Sequence, residues 1–334
     1  VLVDGSFKID HRYEMVDGAE VVIVVVGTDL NVMGQPQNSS VFAAIRQLEK
    51  YLSPATSLVL RSTVMPNTTE LVSQSLEGRV GEVAFCPERI AEGNALRELE
   101  DIPQLVGTRE GKGSEKLTEL FSSLGIAIVN VTWVEAELGK LMLNAWRYSQ
   151  FAIANEFARI CDSHNVNFAD LRNAIIHRYP RAEGLMAPGF AGGPCLRKDT
   201  LQLVASMNTS SPILTAILDS HEKIVEYVAD AIVRRVADSD SFVVQLGLTF
   251  KPGSDDIRGS VALDLARKLG GSIPKFAVVD PYVPGYPEFQ MLSLTEALTK
   301  ADVLVVGTRH PQFRELDSKI PIIDVGGRLK LDDN

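Results

Sequence analysis

From residue 18 to 134, short β-rich runs alternate with amphipathic stretches at helical spacing. Residues 21–27 form an unbroken apolar run, which predicts a strand buried on both faces. Residues 41–52 predict a helix, 57–60 a strand, 68–76 a helix and 83–85 a strand. Strand 104–107, helix 114–124 and strand 127–131 continue the series, and such alternation implies parallel βαβ units. From residue 134 to 207 the pattern turns helical, interrupted by a Gly/Pro-rich stretch at 187–199. Residues 212–236 predict one long helix without a breaker. After residue 239 the α/β alternation returns, with strands at 242–246, 275–279, 303–307 and 322–325 and helices at 260–269 and 294–300. The expected fold is therefore α/β: two parallel-sheet domains, residues 1–131 and 238–334, joined by a central helical domain over 132–237.

Ligands of parallel sheets bind at the carboxyl ends of the strands. Val26-Gly27-Thr28, Arg61-Ser62-Thr63, Cys86-Pro87-Glu88 and Gly307-Thr308-Arg309 all fall there. Gly, Ser and Thr also stop strands and cap helices, so each tripeptide alone has an ordinary explanation. Four in succession point further.

Composition narrows the function. The chain has 33 Lys and Arg against 43 Asp and Glu, a formal charge of -10. That balance argues against a sequence-independent nucleic-acid binder, which carries a basic face. Three cysteines are too few and too scattered for a disulfide framework, and no Cys/His cluster has zinc-site spacing, so no metal is expected. The apolar runs fall far short of the ~20 residues that span a bilayer. A cytoplasmic protein with reduced thiols and no membrane partner is the expectation.

Beginning near Glu135, helical spacing puts Glu137, Lys140, Asn144, Tyr148 and Asn155 on one stripe beside Leu138, Leu141, Met142, Ala145 and Ala152. The stripe reads either as a solvated face or as a buried Lys-plus-Asn pair able to stabilise charge on a sugar oxygen. In Pro188-Gly189-Phe190-Ala191-Gly192-Gly193-Pro194-Cys195, glycines and prolines describe a loop passing close to something. Cys195 ends it just ahead of a helix, where N-terminal amides favour a thiolate. Cys86 and Cys161 read as inert core residues. A third stretch, Gly247 to Arg258, follows a strand and offers backbone amides with Lys251 and Arg258, either to a phosphate or as an ordinary βα turn. No G-x-G-x-x-G is present, and Gly107 to Gly113 misses Walker A spacing by one residue.

Together these segments resemble the UDP-glucose/GDP-mannose dehydrogenase family, in order and over nearly the whole chain. The matching set is Val26-Gly27-Thr28, Ser62-Thr63-Val64 with Thr68-Thr69-Glu70, Pro87-Glu88-Arg89 with Glu92-Gly93, and Glu137-Leu138-Gly139-Lys140 with Asn144 and Arg147. It continues with Asn155-Glu156, Gly192-Gly193-Pro194-Cys195 with Lys198-Asp199, Phe250-Lys251-Pro252 with Asp255-Asp256-Ile257-Arg258, and Asp280-Pro281-Tyr282. The resemblance implies an NAD-binding Rossmann domain, a helical middle that forms a homodimer, and a Rossmann-like UDP-binding domain. It implies that Cys195 captures a C6 aldehyde as a thiohemiacetal, which is oxidised to a thioester and hydrolysed. By the same carry-over Lys140 and Asn144 hold the C6 oxygen, and Asp199, Thr63 and Glu88 position water. Thr28, Thr63, Glu88 and Arg258 border the NAD, while Gly192, Phe250 and Lys251 face the UDP-sugar.

Asp29 and Gly259 stand where the family usually has Pro and Glu. The first βαβ unit with its glycine fingerprint is not seen, so the native chain is expected to extend upstream of Val1. Tyr179-Pro180-Arg181 and Cys86-Pro87-Glu88-Arg89 resemble the branch acting on UDP-N-acetylhexosamines, especially UDP-N-acetylmannosamine. There the planar guanidinium of Arg89 or Arg181 can donate to an acetamido carbonyl, although Arg89 also reads as a surface ion-pair residue. The alternatives are a UDP-glucose enzyme, a 3-hydroxyacid-type dehydrogenase with no use for Cys195, and a non-catalytic nucleotide-sugar-binding protein.

Overall fold

The computed structural model describes residues 8–90, 95–236, 240–313, 316 and 319–325. The Glu92-Gly93 pair falls outside them. The chain divides into two compact units, residues 1–143 with 201–209, and residues 144–200 with 210–334.

The first unit holds a five-stranded sheet of β1 (Val21–Val24), β2 (Ser57–Leu60), β3 (Glu82–Phe85), β4 (Gln104–Thr108) and β5 (Ile128–Thr132), side by side in chain order. Helices α1 (Ser39–Leu48), α2 (Thr68–Ser75), α3 (Ala95–Asp101) and α4 (Glu115–Ser123) connect them. β2 lies inside the sheet and all four of its residues are buried, as a strand covered on both faces requires. Two expectations need correction. Among the described residues β1 is the end of the sheet, and Val22 and Val24 enter the core while Ile23 is 46% and Val25 70% exposed, so the two-sided burial expected of the 21–27 run is not met there. And the sheet is not wholly parallel, because β4 runs antiparallel to β3 through the Phe85–Gly107 pair. Apolar patterning reports burial but carries no strand direction, which the path of the connection decides.

The reversal matters for the site. It sets Gln104, at the amino end of β4, beside the carboxyl ends of β2 and β3, where it accepts from Arg61 at 2.8 Å and donates to the Pro87 carbonyl.

In the second unit, the sheet has the order β7 (Phe276–Val279), β6 (Val243–Leu246), β8 (Val303–Val306), β9 (Ile322–Asp324), with every pairing parallel. The central β6 is again fully buried. Ser260 caps α9 (Val261–Ser272), and Ser293 with Glu296 forms a reciprocal capping box on α10 (Leu294–Lys300).

The helical middle contains α5 (Trp133–Ser163), α6 (Phe168–Ile176), α7 (Leu196–Ala205) and α8 (Pro212–Arg235). The apolar face of α8 is used inside the chain: Ile224, Val225, Val228 and Ile232 pack with Leu265, Leu269 and β6. The apolar count of residues 212–236 predicts a surplus that would form a homodimer on this helix and its neighbours, but exposed apolar surface lies on α5, where Trp146, Ile153, Phe157 and Ile160 are each more than two-fifths exposed. No helix among the described residues is long and apolar enough to cross a membrane.

Where α8 meets α5, His221 stacks on Tyr148 with ring centroids 3.7 Å apart, and its Nε2 bonds the Tyr148 carbonyl at 2.8 Å. Burial disfavours the imidazolium and lowers the His221 pKa to about 4. The unfolded chain therefore takes up this proton from about pH 6.5 downward, and the folded chain only near pH 4. The stacked histidine contributes fully above pH 6.5 and its contribution is lost as pH falls to 4, by on the order of 3 kcal/mol. Urea unfolding of wild type and His221→Phe between pH 7 and 4 is expected to give a shallower decline of stability for the variant.

Candidate active site

At the carboxyl ends of β1, β2 and β3 the chain turns are tied to one another. Ser62 Oγ accepts from the Val26 amide at 2.7 Å, and Thr28 Oγ1 donates to the Thr63 carbonyl at 2.6 Å. Gly27 leaves the rim open, since an added Cβ would meet only the Asp29 carboxylate, at 3.5 Å. The carboxyl ends of parallel strands are where such sheets meet their ligands, and Thr28 and Thr63 both lie there.

Next along this rim is Glu88. Its carboxylate accepts from Arg61 at 2.6 Å and from the amides of Arg89 and Ile90. Burial pushes its pKa up, but those amides and the guanidinium outweigh it and hold the group below its ordinary value. Arg89 bonds the Pro103 carbonyl, so its guanidinium is engaged by the backbone of its own unit. Cys86 is fully buried and its thiol is pushed up to about 12, an inert group at neutral pH.

The polar stripe of α5 is not a solvated face. Glu137 has no exposed surface, Asn144 is 4% and Asn155 2% exposed, and Lys140 is half-buried. Glu137 sits at the start of α2, accepting from the amides of Asn67 and Thr69 and from the Thr69 hydroxyl at 2.6–2.8 Å. A carboxylate there meets unpaired amides and the positive helix end. Burial raises its pKa despite these bonds.

In the second unit Asn144 donates to Asp199 at 2.5 Å, and Lys198 lies 3.0 Å from the other oxygen of that carboxylate. Asp199 is 1% exposed, and its amide donates to the Cys195 carbonyl at 2.8 Å. Cys195 thus occupies the cap position of α7 and is exposed.

The Gly-rich loop before it is held along its length. Asn155 clasps Gly189, accepting from its amide and donating to its carbonyl. The Gly193 amide donates to the Gly259 carbonyl at 2.9 Å. A Cβ on Gly193 would lie 2.8 Å from the Phe250 ring, and one on Gly259 2.8 Å from the Gly193 oxygen. With φ values of 100° and 59°, both positions call for glycine. Phe250 and Gly192 also meet, at 3.3 Å from a built Cβ. Lys251 lies 5.3 Å from the Phe250 ring centre, and Arg258 pairs with Asp256. Arg181 lies over the Tyr179 ring.

Gly307-Thr308-Arg309 ends β8, where Thr308 Oγ1 donates to the Thr249 carbonyl and Arg309 pairs with Asp324. Sequence reasoning overlooked His310, fully buried between Asp280 and the turn bearing Lys251. Its only signal was a histidine following a strand-end Gly-Thr. A cavity of about 400 Å³ lined by Ser73, Glu77, Arg109 and Trp133 contains none of the expected site residues.

Three domain models of one family match the chain. The NAD-binding domain of the UDP-glucose/GDP-mannose dehydrogenase family matches residues 2–125, the central domain 134–224 and the UDP-binding domain 244–326. The chain is 29% identical over 333 residues to the UDP-N-acetyl-D-mannosamine dehydrogenase of Pyrococcus horikoshii, covering 95% of this chain and 78% of that one. It is 29% identical over 323 residues to the NDP-N-acetyl-D-galactosaminuronic acid dehydrogenase of Ralstonia nicotianae, covering 90% and 76%. The solved structure of a UDP-D-ManNAc dehydrogenase from P. horikoshii superimposes with a TM-score of 0.86 at 27% identity, over 98% of this chain and 81% of that one. That of a UDP-glucose dehydrogenase from Pyrobaculum islandicum gives 0.85 at 25% identity, over 96% and 80%. The chain belongs to the UDP-glucose/GDP-mannose dehydrogenase family and is an NAD-dependent oxidoreductase of nucleotide sugars, with that family's NAD-binding, central and UDP-binding domains in order.

Proposed function

We propose that this chain oxidises the C6 hydroxyl of a UDP-N-acetylhexosamine, UDP-N-acetylmannosamine in the first place, to the uronate by way of Cys195. One observation carries the reading: an exposed cysteine caps α7 at the end of a clasped glycine loop, with buried Asp199 one turn behind it and bonded to Asn144. We assign residues 1–131 to NAD, 132–237 to the helical middle and 238–334 to UDP.

NAD, when bound against Thr28 and Thr63, supplies the acceptor for the hydrides that leave C6. The Cys195 sulfur adds to the C6 aldehyde, its proton passing to the carbonyl oxygen, and holds the carbon until it is a thioester. Water then opens the thioester, releasing the carboxylate and restoring the thiol. Covalent capture divides a four-electron oxidation into separate steps and keeps the aldehyde from escaping. Lys140 and Asn144 are assigned to the C6 oxygen, where donors stabilise developing charge. Asp199 is assigned to the attacking water. Glu88, tied to Arg61 and two amides, acts as a brace beside the cofactor rather than as a strong base, and Arg258 lies on the cofactor side. Gly192, Phe250 and Lys251 face the sugar nucleotide.

Relatives named for N-acetylated sugars support the branch, and the structural likeness to a UDP-glucose dehydrogenase keeps plain glucose as the second reading. Because Arg89 is engaged with Pro103, Arg181 is the guanidinium assigned to the acetamido carbonyl. Loss of one such bond corresponds to about tenfold, ~1.4 kcal/mol. We further propose a cytoplasmic homodimer formed through the exposed α5 stripe.

Following NADH at 340 nm, kcat/KM for UDP-N-acetylmannosamine is expected to exceed that for UDP-glucose by about tenfold or more. A preference for UDP-glucose would overturn the branch assignment. Cys195→Ser is expected to abolish net uronate formation while UDP-sugar affinity stays nearly intact, because a hydroxyl is a far weaker nucleophile than a thiol. Steady uronate production by that variant would sink the covalent route. Light scattering is expected to give twice the monomer mass for wild type, and the monomer mass for Ile153→Asp with Phe157→Asp, since buried charges oppose an apolar contact.

A further inference from the structure

The turn between β6 and α9 carries Lys251, and its backbone is fixed by side chains from other elements. Asp280, directly after β7, accepts from the Leu248 amide at 2.7 Å through one oxygen and from the Tyr282 and Val283 amides through the other. Ser260 donates to the Leu248 carbonyl, and Thr308 to that of Thr249. Thr249 Oγ1 donates to the Lys251 carbonyl at 3.0 Å. His310 joins these groups. Its Nδ1 lies 3.1 Å from the Gly253 nitrogen, and its Nε2 lies 3.2 Å from Asp280 Oδ2 and 3.1 Å from Thr249 Oγ1.

The backbone amide of Gly253 can only donate, so Nδ1 accepts and Nε2 carries the proton toward Asp280 and Thr249. The ring thus grips the turn on both sides of Lys251, at Thr249 and at Gly253. It has no exposed surface, and Tyr282 and Phe313 pack against it with centroids 4.9 and 5.6 Å away. A side chain enclosed this way has one orientation available, and the turn inherits it.

We infer that His310, oriented by Asp280, is a positioning residue of the UDP-sugar site, holding the 249–253 turn so that Lys251 is presented to the substrate. This rests on the reading that Lys251 contacts the UDP-sugar. His310 touches neither substrate nor cofactor in this role. It acts through the turn, so its effect must vanish when the Lys251 side chain is removed.

The test is a double-mutant cycle on the full chain, using UDP-N-acetylmannosamine as probe in calorimetry without NAD, so that nothing turns over. Lys251→Ala and His310→Leu are each expected to weaken the probe about tenfold or more, with NAD affinity unchanged. The pair together is expected to be no weaker than Lys251→Ala alone. His310→Asn, whose carboxamide oxygen can still accept from the Gly253 amide, is expected to stay within about threefold of wild type. If His310→Leu proves too unstable to purify, that comparison is replaced by Asp280→Asn, which weakens the hold on Nε2–H and is expected to be non-additive with Lys251→Ala in the same way. Additive losses would overturn the inference, since they mean that His310 acts on binding by another route. An unweakened His310→Leu would overturn it as well. If Lys251→Ala binds as wild type does, the contact on which the inference rests is wrong and both fall. The NADH assay reports separately on whether the chain oxidises the sugar at all.

Discussion

Long helices usually turn their polar stripe to solvent, but α5 turns one polar stripe inward while Glu135, Arg147 and Glu156 lie on its exposed side. Its inward polar groups are almost completely buried, and each is matched to a backbone segment or side chain that needs it. In the first unit Glu137 supplies the start of α2 with the acceptor its amides lack. In the second, Asn144 meets Asp199, Asn155 satisfies both backbone groups of Gly189, and the Tyr148 carbonyl takes the His221 bond. A buried polar group left without a partner costs roughly 1–3 kcal/mol, so none of these positions is free to drift. The elements that hold the candidate chemistry of this NAD-dependent nucleotide-sugar dehydrogenase are therefore fixed by hydrogen bonds of definite direction, which apolar packing alone does not provide.

The cysteine loop shows the same requirement met by the absence of side chains. Gly192, Gly193 and Gly259 let two stretches of backbone and the Phe250 ring approach to distances a Cβ would prevent. Phe250 is adjacent to Lys251, so the residue that shapes the floor of the loop is continuous with the turn assigned to the sugar nucleotide. Ala191 and Leu196 on either side of the loop enter the apolar cluster of Tyr148, Ala152 and Ile217. Arg197 then pairs with Glu222 of α8 at 2.8 Å. That pair is exposed and weak, and the main hold on the loop is the buried one.

How far the sequence could be read follows from what each pattern encodes. Alternating β-rich and amphipathic segments gave the strands and helices, but the continuous apolar run at 21–27 did not mark a strand covered on both faces, since β1 alternates buried and exposed positions. The glycine-rich approach to Cys195 and the Asn144, Asp199 and Lys251 motifs were legible because close backbone contact and polar chemistry leave few residue choices. Strand direction was not legible, so the reversal of β4 and the meeting of Gln104 with Arg61 could not be foreseen. Nor could the apolar count of α8 distinguish a face packed on its own sheet from one left exposed. Arg89 could be read two ways because a guanidinium is equally suited to a ligand oxygen and to a backbone carbonyl, and in the structure it bonds the Pro103 carbonyl.

His221 and His310 went unread for a related reason. A histidine in a sequence has no period and no fixed partner spacing, and its role depends on what reaches its two ring nitrogens. For His221 one nitrogen meets a carbonyl within the helical layer and the ring stacks on Tyr148, which suits a packing role. For His310 both nitrogens are engaged, by Asp280 directly after β7 and by Thr249 and Gly253 of the turn between β6 and α9. Those groups are separated by 30 and 57 residues along the chain for Asp280 and Gly253 respectively. Such a junction exists only when three strand ends are already adjacent, so it is a product of the parallel sheet rather than a motif the chain displays. That same adjacency places it where parallel sheets bind their ligands, at the carboxyl ends of the strands. A buried ring that bridges three strand ends is thus more informative about the site than the exposed charges around it, because its orientation leaves the neighbouring backbone one arrangement.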